Sequence, residues 1–149
     1  MIREIAFPMV TPNGIGLSPD ETTLYIAETE TARLWAFDLE APREGRRQPW
    51  PSPHGGRLVT GSLGFKRFDS LAVDAAGNIC VATLVNGGIS VTSPDGRLVC
   101  HVPMPERWVT NICFGGPDLR TAYITLSSTG WRIACDWEQA GAKLAYLNG

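Results

Sequence analysis

The chain has 149 residues, enough for one ordinary domain with a sizeable core. Hydrophobic residues make up 44% and the formal net charge is −2, which fits a folded globular chain and excludes the basic stripe of a nucleic-acid binder. No apolar run is long enough to span a bilayer, and MIREIAFPMV lacks the cationic start and apolar core of a signal peptide.

The first predicted element is a hairpin. NGIGLSPDETTLYIAET, from Asn13, holds an apolar strand, the turn SPDETT and a second strand. ARLWAFDLE and GRLVT follow as two more strands, separated by the loop APREGRRQPWPSPHGG. From Asp69 the pattern returns in DSLAVDAAGNICVATL, then GGISVTSP, the turn PDG and RLVCHVP. From Thr110 it returns again in TNICFGGPDLRTAYITL, then WRIACDW and KLAYLN. The repeats start 56 and 41 residues apart, the first interval being lengthened by the loop. Four strands in about 40–50 residues is the period of a β-propeller blade. No helical periodicity competes with it. The expected fold is all-β: three four-stranded propeller blades, approximately 13–60, 69–103 and 110–148, in one unit over residues 1–149.

Asn13, Asp69 and Thr110, with Asn111 beside it, stand at the same place in the three repeats, just ahead of an inner strand. In a propeller the inner strands line the channel, so these side chains are expected to converge on its axis. A carboxamide and a carboxylate there are hard oxygen donors of the kind that suit one divalent ion, Ca²⁺, Mg²⁺ or Mn²⁺, and tolerate Zn²⁺. The same two residues also cap turns at strand entries, and the repeat by itself leaves both roles open.

PNGIGLSPDETTLYIAETET, FDSLAVDAAGNICVATLVNGG, the SPDGRLV hairpin and TNICFGGPDLRTAYIT resemble the SMP-30/gluconolactonase/luciferin-regenerating-enzyme-like family, in order and over essentially the whole chain. The resemblance implies half of a six-bladed propeller, a divalent metal in the channel and hydrolysis of sugar lactones or related esters. It implies Asn13, in the PNG motif, as a metal ligand, and Asp69 as a ligand that doubles as the catalytic base, although Asp69 is flanked here by Phe68 and Ser70. The family's glutamate ligand belongs to its first blade, and its sugar-contacting arginine and asparagine to its first half; no segment here matches them. Glu4 and Glu28 lie outside the ligand motif and are given no such role.

Three blades without closure are expected to leave two apolar faces in water. The chain is then a fragment of a longer frame, the partner of a separate N-terminal half, or a homodimer closing the ring by twofold symmetry. A non-catalytic interaction module or a truncated remnant is the alternative to a hydrolase.

Other features are read as structural. GIGLSP is no dinucleotide loop because Pro19 fills its third glycine position, and neither GxSxG nor HExxH occurs. His54 and His101 have no ligand spacing, and Arg43, Arg46 and Arg47 read as a solvated insertion. Trp35, Trp131 and Trp137 read as blade packing; Trp108, behind Arg107, and Asn111 are candidates for a substrate pocket. Cys80, Cys100, Cys113 and Cys135 lie in strand-like apolar runs and read as buried free thiols in a reducing cytoplasm.

Overall fold

The computed structural model describes residues 2, 4–41 and 44–143. Twelve strands and no helix occur among them, so no helix is long and apolar enough to cross a membrane. The strands form three antiparallel sheets of propeller type.

Blade 1 contains β1 (Pro12–Leu17), β2 (Thr23–Glu28), β3 (Arg33–Ala41), β4 (Glu44–Arg46) and β5 (Arg57–Gly61). It is five-stranded, not four-stranded: β3 runs on past the blade, and β4 and β5 pair with different lengths of it. The insertion expected as plain loop thus contributes a short strand. Arg46 and Arg47 in it are exposed, and Arg43 lies outside the described residues. Blade 2 has the four expected strands, β6 (Arg67–Val73), β7 (Ile79–Leu84), β8 (Gly88–Thr92) and β9 (Leu98–Pro103). Blade 3 has β10 (Val109–Gly115), β11 (Thr121–Leu126) and β12 (Trp131–Asp136). Of its expected fourth strand, KLAYLN, only Lys143 falls within the described residues.

The alternation of the strands builds two interblade cores. Tyr25, Ala27, Leu34, Ala36 and Val59 of blade 1 meet Phe68, Leu71, Val73, Ile79 and Val81 of blade 2. The other face of blade 2, through Cys80, Ala82, Ile89 and Val91, meets Val109, Ile112, Ala122, Ile124 and Leu126 of blade 3. Both faces of β7 and β8 are therefore buried, which is why their sequences read as nearly continuous apolar runs.

The outer faces depart from expectation. Leu24, Ile26, Trp35 and Phe37 on the far side of blade 1 are covered by Ile5, Ala6 and Met9 from the chain's own start. The far side of blade 3 presents Asn111, Cys113, Tyr123, Thr125 and Arg132, a mixed and not an apolar face. Trp35 and Trp137 pack as expected, but Trp131 is 58% exposed, because no described strand covers β12. All four cysteines are free, yet only Cys80 is buried; Cys100 and Cys113 are exposed and Cys135 is half-buried, since all three lie in strands at or beside open faces. His54 is buried edge-on against Trp35, and His101 is held between Asn86 and Ser90.

Candidate metal and catalytic centre

The inner strand of each blade carries one irregularity, and it falls at the same place in all three. In β1 the pairing with β2 slips between Pro12 and Ile15; in β6 the pairing with β7 slips between Phe68 and Leu71; in β10 the pairing with β11 slips between Val109 and Asn111. Each inner strand has one residue more than its neighbour there. The extra residues are drawn from Asn13–Gly14, Asp69–Ser70 and Thr110. A bulge leaves a residue unpaired and re-aims its side chain, which is how an otherwise in-out strand can point a polar group along the channel. Asn13 and Asp69 thus lie inside β1 and β6 and not ahead of them.

Glycine brings the first two bulges together. A Cβ on Gly14 would come within 2.6 Å of the Asp69 carbonyl oxygen and 2.8 Å of the Leu71 nitrogen. Only a residue without a side chain lets β1 approach β6 this closely. The consequence is that the two candidate ligands lie side by side, the Asn13 carboxamide near enough to favour the charged form of the Asp69 carboxyl. Asn13 is exposed and Asp69 half-buried. Burial pushes the Asp69 carboxyl above the ordinary carboxylate value, partly offset by the bonds from Asn13 and from the Ser70 backbone.

The Thr110 hydroxyl is engaged within its own blade, bonded to Thr125 Oγ1 at 2.9 Å. Asn111 spends its side-chain oxygen on the Ile112 N–H at 2.8 Å, yet its exposed side chain lines a groove of about 330 Å³ along the inner strands with Ile15, Leu17, Leu71, Val73 and Phe114. Trp108 is 46% exposed and bridges by its backbone to Leu84, the residue paired with Arg67 at the start of β6. It stands at the join of blades 2 and 3, at the Asp69 end. Arg67 at that end pairs with Glu30 at 3.1 Å, a rim contact the sequence reading missed; its signal was a cation two residues before Asp69.

Glu28 is a structural acid. Its carboxylate is buried and accepts bonds from Val10 N–H at 2.7 Å, Trp35 Nε1 at 3.0 Å and the Thr31 hydroxyl. Burial pushes its pKa up, but these bonds outweigh that and hold it below the usual value.

The donor set fits a hard divalent ion in kind: a neutral carboxamide oxygen and a half-buried carboxylate, side by side. Among the described residues no three histidine, cysteine, aspartate or glutamate side chains group as metal ligands. Asn13 and Asp69 would therefore supply two of the six or more oxygens such an ion takes.

The sequence profile described as SMP-30/Gluconolactonase/LRE-like region matches residues 1–128. A 6-deoxy-6-sulfogluconolactonase of Pseudomonas putida is 35% identical over 144 residues, which covers 95% of this chain and 47% of the relative. A pentonolactonase of Haloferax volcanii is 32% identical over 117 residues, covering 76% of this chain and 37% of the relative. A regucalcin from Agrobacterium tumefaciens, described as a calcium-binding protein, superposes with a TM-score of 0.74 at 24% identity, over 89% of this chain and 50% of that one. A gluconolactonase from Xanthomonas campestris superposes with a TM-score of 0.65 at 26% identity, over 82% and 36%. The chain spans about half the length, or less, of these relatives. On the profile match and on the similarity to lactonases, the chain belongs to the SMP-30/gluconolactonase/LRE-like family.

Proposed function

We propose that this chain carries the metal and base half of a lactonase-type hydrolase, acting on sugar lactones or related esters in the cytoplasm. The observation that carries this reading is the juxtaposition of Asn13 and Asp69 at equivalent bulges of β1 and β6, brought close by Gly14. Similarity to a sulfogluconolactonase, a pentonolactonase and a gluconolactonase supports the substrate class. Four free thiols support a reducing compartment.

A lactone is a neutral cyclic ester, and its hydrolysis needs an activated water and stabilisation of charge on the carbonyl oxygen. Asp69 acts as the base. Its half-buried carboxylate has a raised proton affinity, which suits it to take a proton from the attacking water. Asn13 stands beside that carboxylate and favours its charged form. Asn13 and Asp69 would hold the divalent ion, which when bound supplies electrophilic polarisation of the carbonyl. The groove along the inner strands, lined by Ile15, Leu71 and Asn111, takes the apolar edge of the ring; Trp108, exposed at the Asp69 end, is a second candidate contact.

The test is hydrolysis of a simple sugar lactone by the full chain, before and after chelation and after replacement of divalent ions. Turnover lost with the metal and restored by it is the expected result. Turnover that survives chelation, or a chain that binds none of the four ions, removes the assignment.

A further inference from the structure

β1 inverts the usual placement of large and small residues on a strand. Glycines occupy the side that packs on β6: a Cβ on Gly14 would strike the β6 backbone, and one on Gly16 would stand 2.8 Å from Leu71 Cδ1. The large apolar side chains are the exposed ones, Ile15 at 61% and Leu17 at 40%. Both line the groove of about 330 Å³ along the inner strands, with Leu71 and Val73 of β6 and Phe114 of β10. An apolar surface left open in this way marks a place where something binds.

The groove has two unlike ends. Gly14 lies against Asp69 and Gly16 against Leu71 and Val73, so β1 and β6 run the same way. Leu84 pairs with Arg67 and bridges to Trp108, which brings the start of β10 to the start of β6. Asn13, Asp69 and Asn111 therefore stand at one end, and Leu17, Val73 and Phe114 at the other. The chain that follows β12 turns inward and closes this second end. Ala75 N–H donates to the Ala140 carbonyl at 2.7 Å, Gly141 N–H to that of Leu119 at 2.9 Å and Ala142 N–H to that of Val73 at 3.0 Å. A Cβ on Gly141 would overlap Phe114, so glycine is what lets the crossing come this close. Leu119 and Ala142 thus floor the groove. Among the described residues no lining side chain is charged, and Asn111, at the open end, is the one amide.

We propose that this groove is a slot for a hydrocarbon tail, and that the substrate of the Asn13–Asp69 site is a lactone or ester carrying an alkyl or acyl chain. The polar head meets the two oxygen donors and the tail lies along β1, β6 and β10 toward Leu119 and Ala142. The head rests on the hydrolase reading given above; the tail rests on the groove alone. A bare sugar lactone carries hydroxyls around its ring and gives the lower part of the slot nothing apolar to cover. A tail covers Ile15 and Leu17, and each methylene taken out of water strengthens binding about threefold to fourfold. At roughly 30 Å³ for a water-sized group, the slot has room for about ten such groups.

The experiment uses the full chain with its divalent ion and a series of γ-lactones bearing methyl, butyl, hexyl and decyl substituents. In parallel, calorimetry compares 1-butanol with 1-octanol, which reads the slot without turnover. The expected result is a kcat/KM that rises about threefold to fourfold per methylene through hexyl and levels off by decyl, with octanol bound more tightly than butanol. Leu17→Asn should flatten the rise. Ala142→Leu should raise the floor and move the optimum to a shorter tail, a shift that a general loss of folding does not produce; circular dichroism checks both variants. Octanol bound without turnover of any lactone removes the hydrolase reading and supports the slot. Turnover indifferent to tail length, with octanol no tighter than butanol, overturns the slot and leaves the hydrolase reading. A tail dependence unchanged in both folded variants also overturns it.

Discussion

Gly14 lies so close to Asp69 that a Cβ on it would stand 2.6 Å from the Asp69 carbonyl oxygen. The obstructing atoms are backbone, so they cannot swing aside. Gly14→Ala is expected to push β1 away from β6 at a cost of about 1–3 kcal/mol, and to separate Asn13 from Asp69. Thermal melting reads the first effect. Lactone turnover, falling further than the loss of folded protein explains, reads the second. An alanine variant with unchanged melting and turnover would show that the close approach has no role in the site.

Asp69 separates function from stability. Its carboxylate is held half out of water, with its proton affinity raised by burial. Asp69→Asn is expected to reduce lactone hydrolysis by about 10²–10⁴-fold, the usual contribution of a positioned base. The melting temperature should hold or rise, because the charged group is the one that burial disfavours. Full activity in this variant would remove Asp69 from the mechanism.

Asn13 is exposed, so its replacement leaves the core untouched. Asn13→Ala is expected to weaken Ca²⁺ or Mn²⁺ binding by at least about tenfold in a calorimetric titration, since it removes one of two oxygens and the group that orients the other. Equal affinity in wild type and variant would place the ion elsewhere.

Glu28 holds the corner where the chain's start meets blade 1. Removing its carboxylate leaves the Val10 N–H and Trp35 Nε1 without acceptors. Glu28→Ala should therefore cost about 2–4 kcal/mol, read by denaturant unfolding. A cost within about 0.5 kcal/mol, as for an ordinary surface site, would mean water replaces the carboxylate freely.

His54 gives a pH dependence near neutrality. Its ring is buried against Trp35 at 4.4 Å and Phe37 at 5.5 Å, Nδ1 accepts the Gly56 N–H, and Nε2 has no partner among the described residues. Burial disfavours the imidazolium and pushes the pKa below its ordinary 6.5. The unfolded chain therefore takes up the proton first. Stability is full above pH 6.5 and declines as the pH falls through that value toward the folded one. Glu28 adds its own loss at lower pH, its carboxyl being held below 4.5. Melting temperatures between pH 7.5 and about 5 should fall for the wild type and flatten for His54→Gln. Parallel curves for the two proteins would exclude His54 as the source.

The sequence by itself determined the repeat, and with it the all-β propeller fold, the order of the strands and the equivalence of Asn13, Asp69 and Thr110. These follow from period-two alternation and turn chemistry, which act over a few residues and leave their mark in the chain. The tertiary structure alone decided what depends on neighbours distant in sequence. Cys100, Cys113 and Trp131 sit in strand-like runs indistinguishable from those of Cys80 and Trp35, yet they are exposed, because burial of a strand face depends on whether another sheet lies against it. Asn13 and Asp69 stand side by side while Thr110 bonds to Thr125, because the partner each side chain finds depends on neighbours that the repeat does not encode. Gly14 read as part of a motif; only the packing of β1 on β6 showed that its missing side chain is what lets the two strands that carry the oxygen donors close on each other.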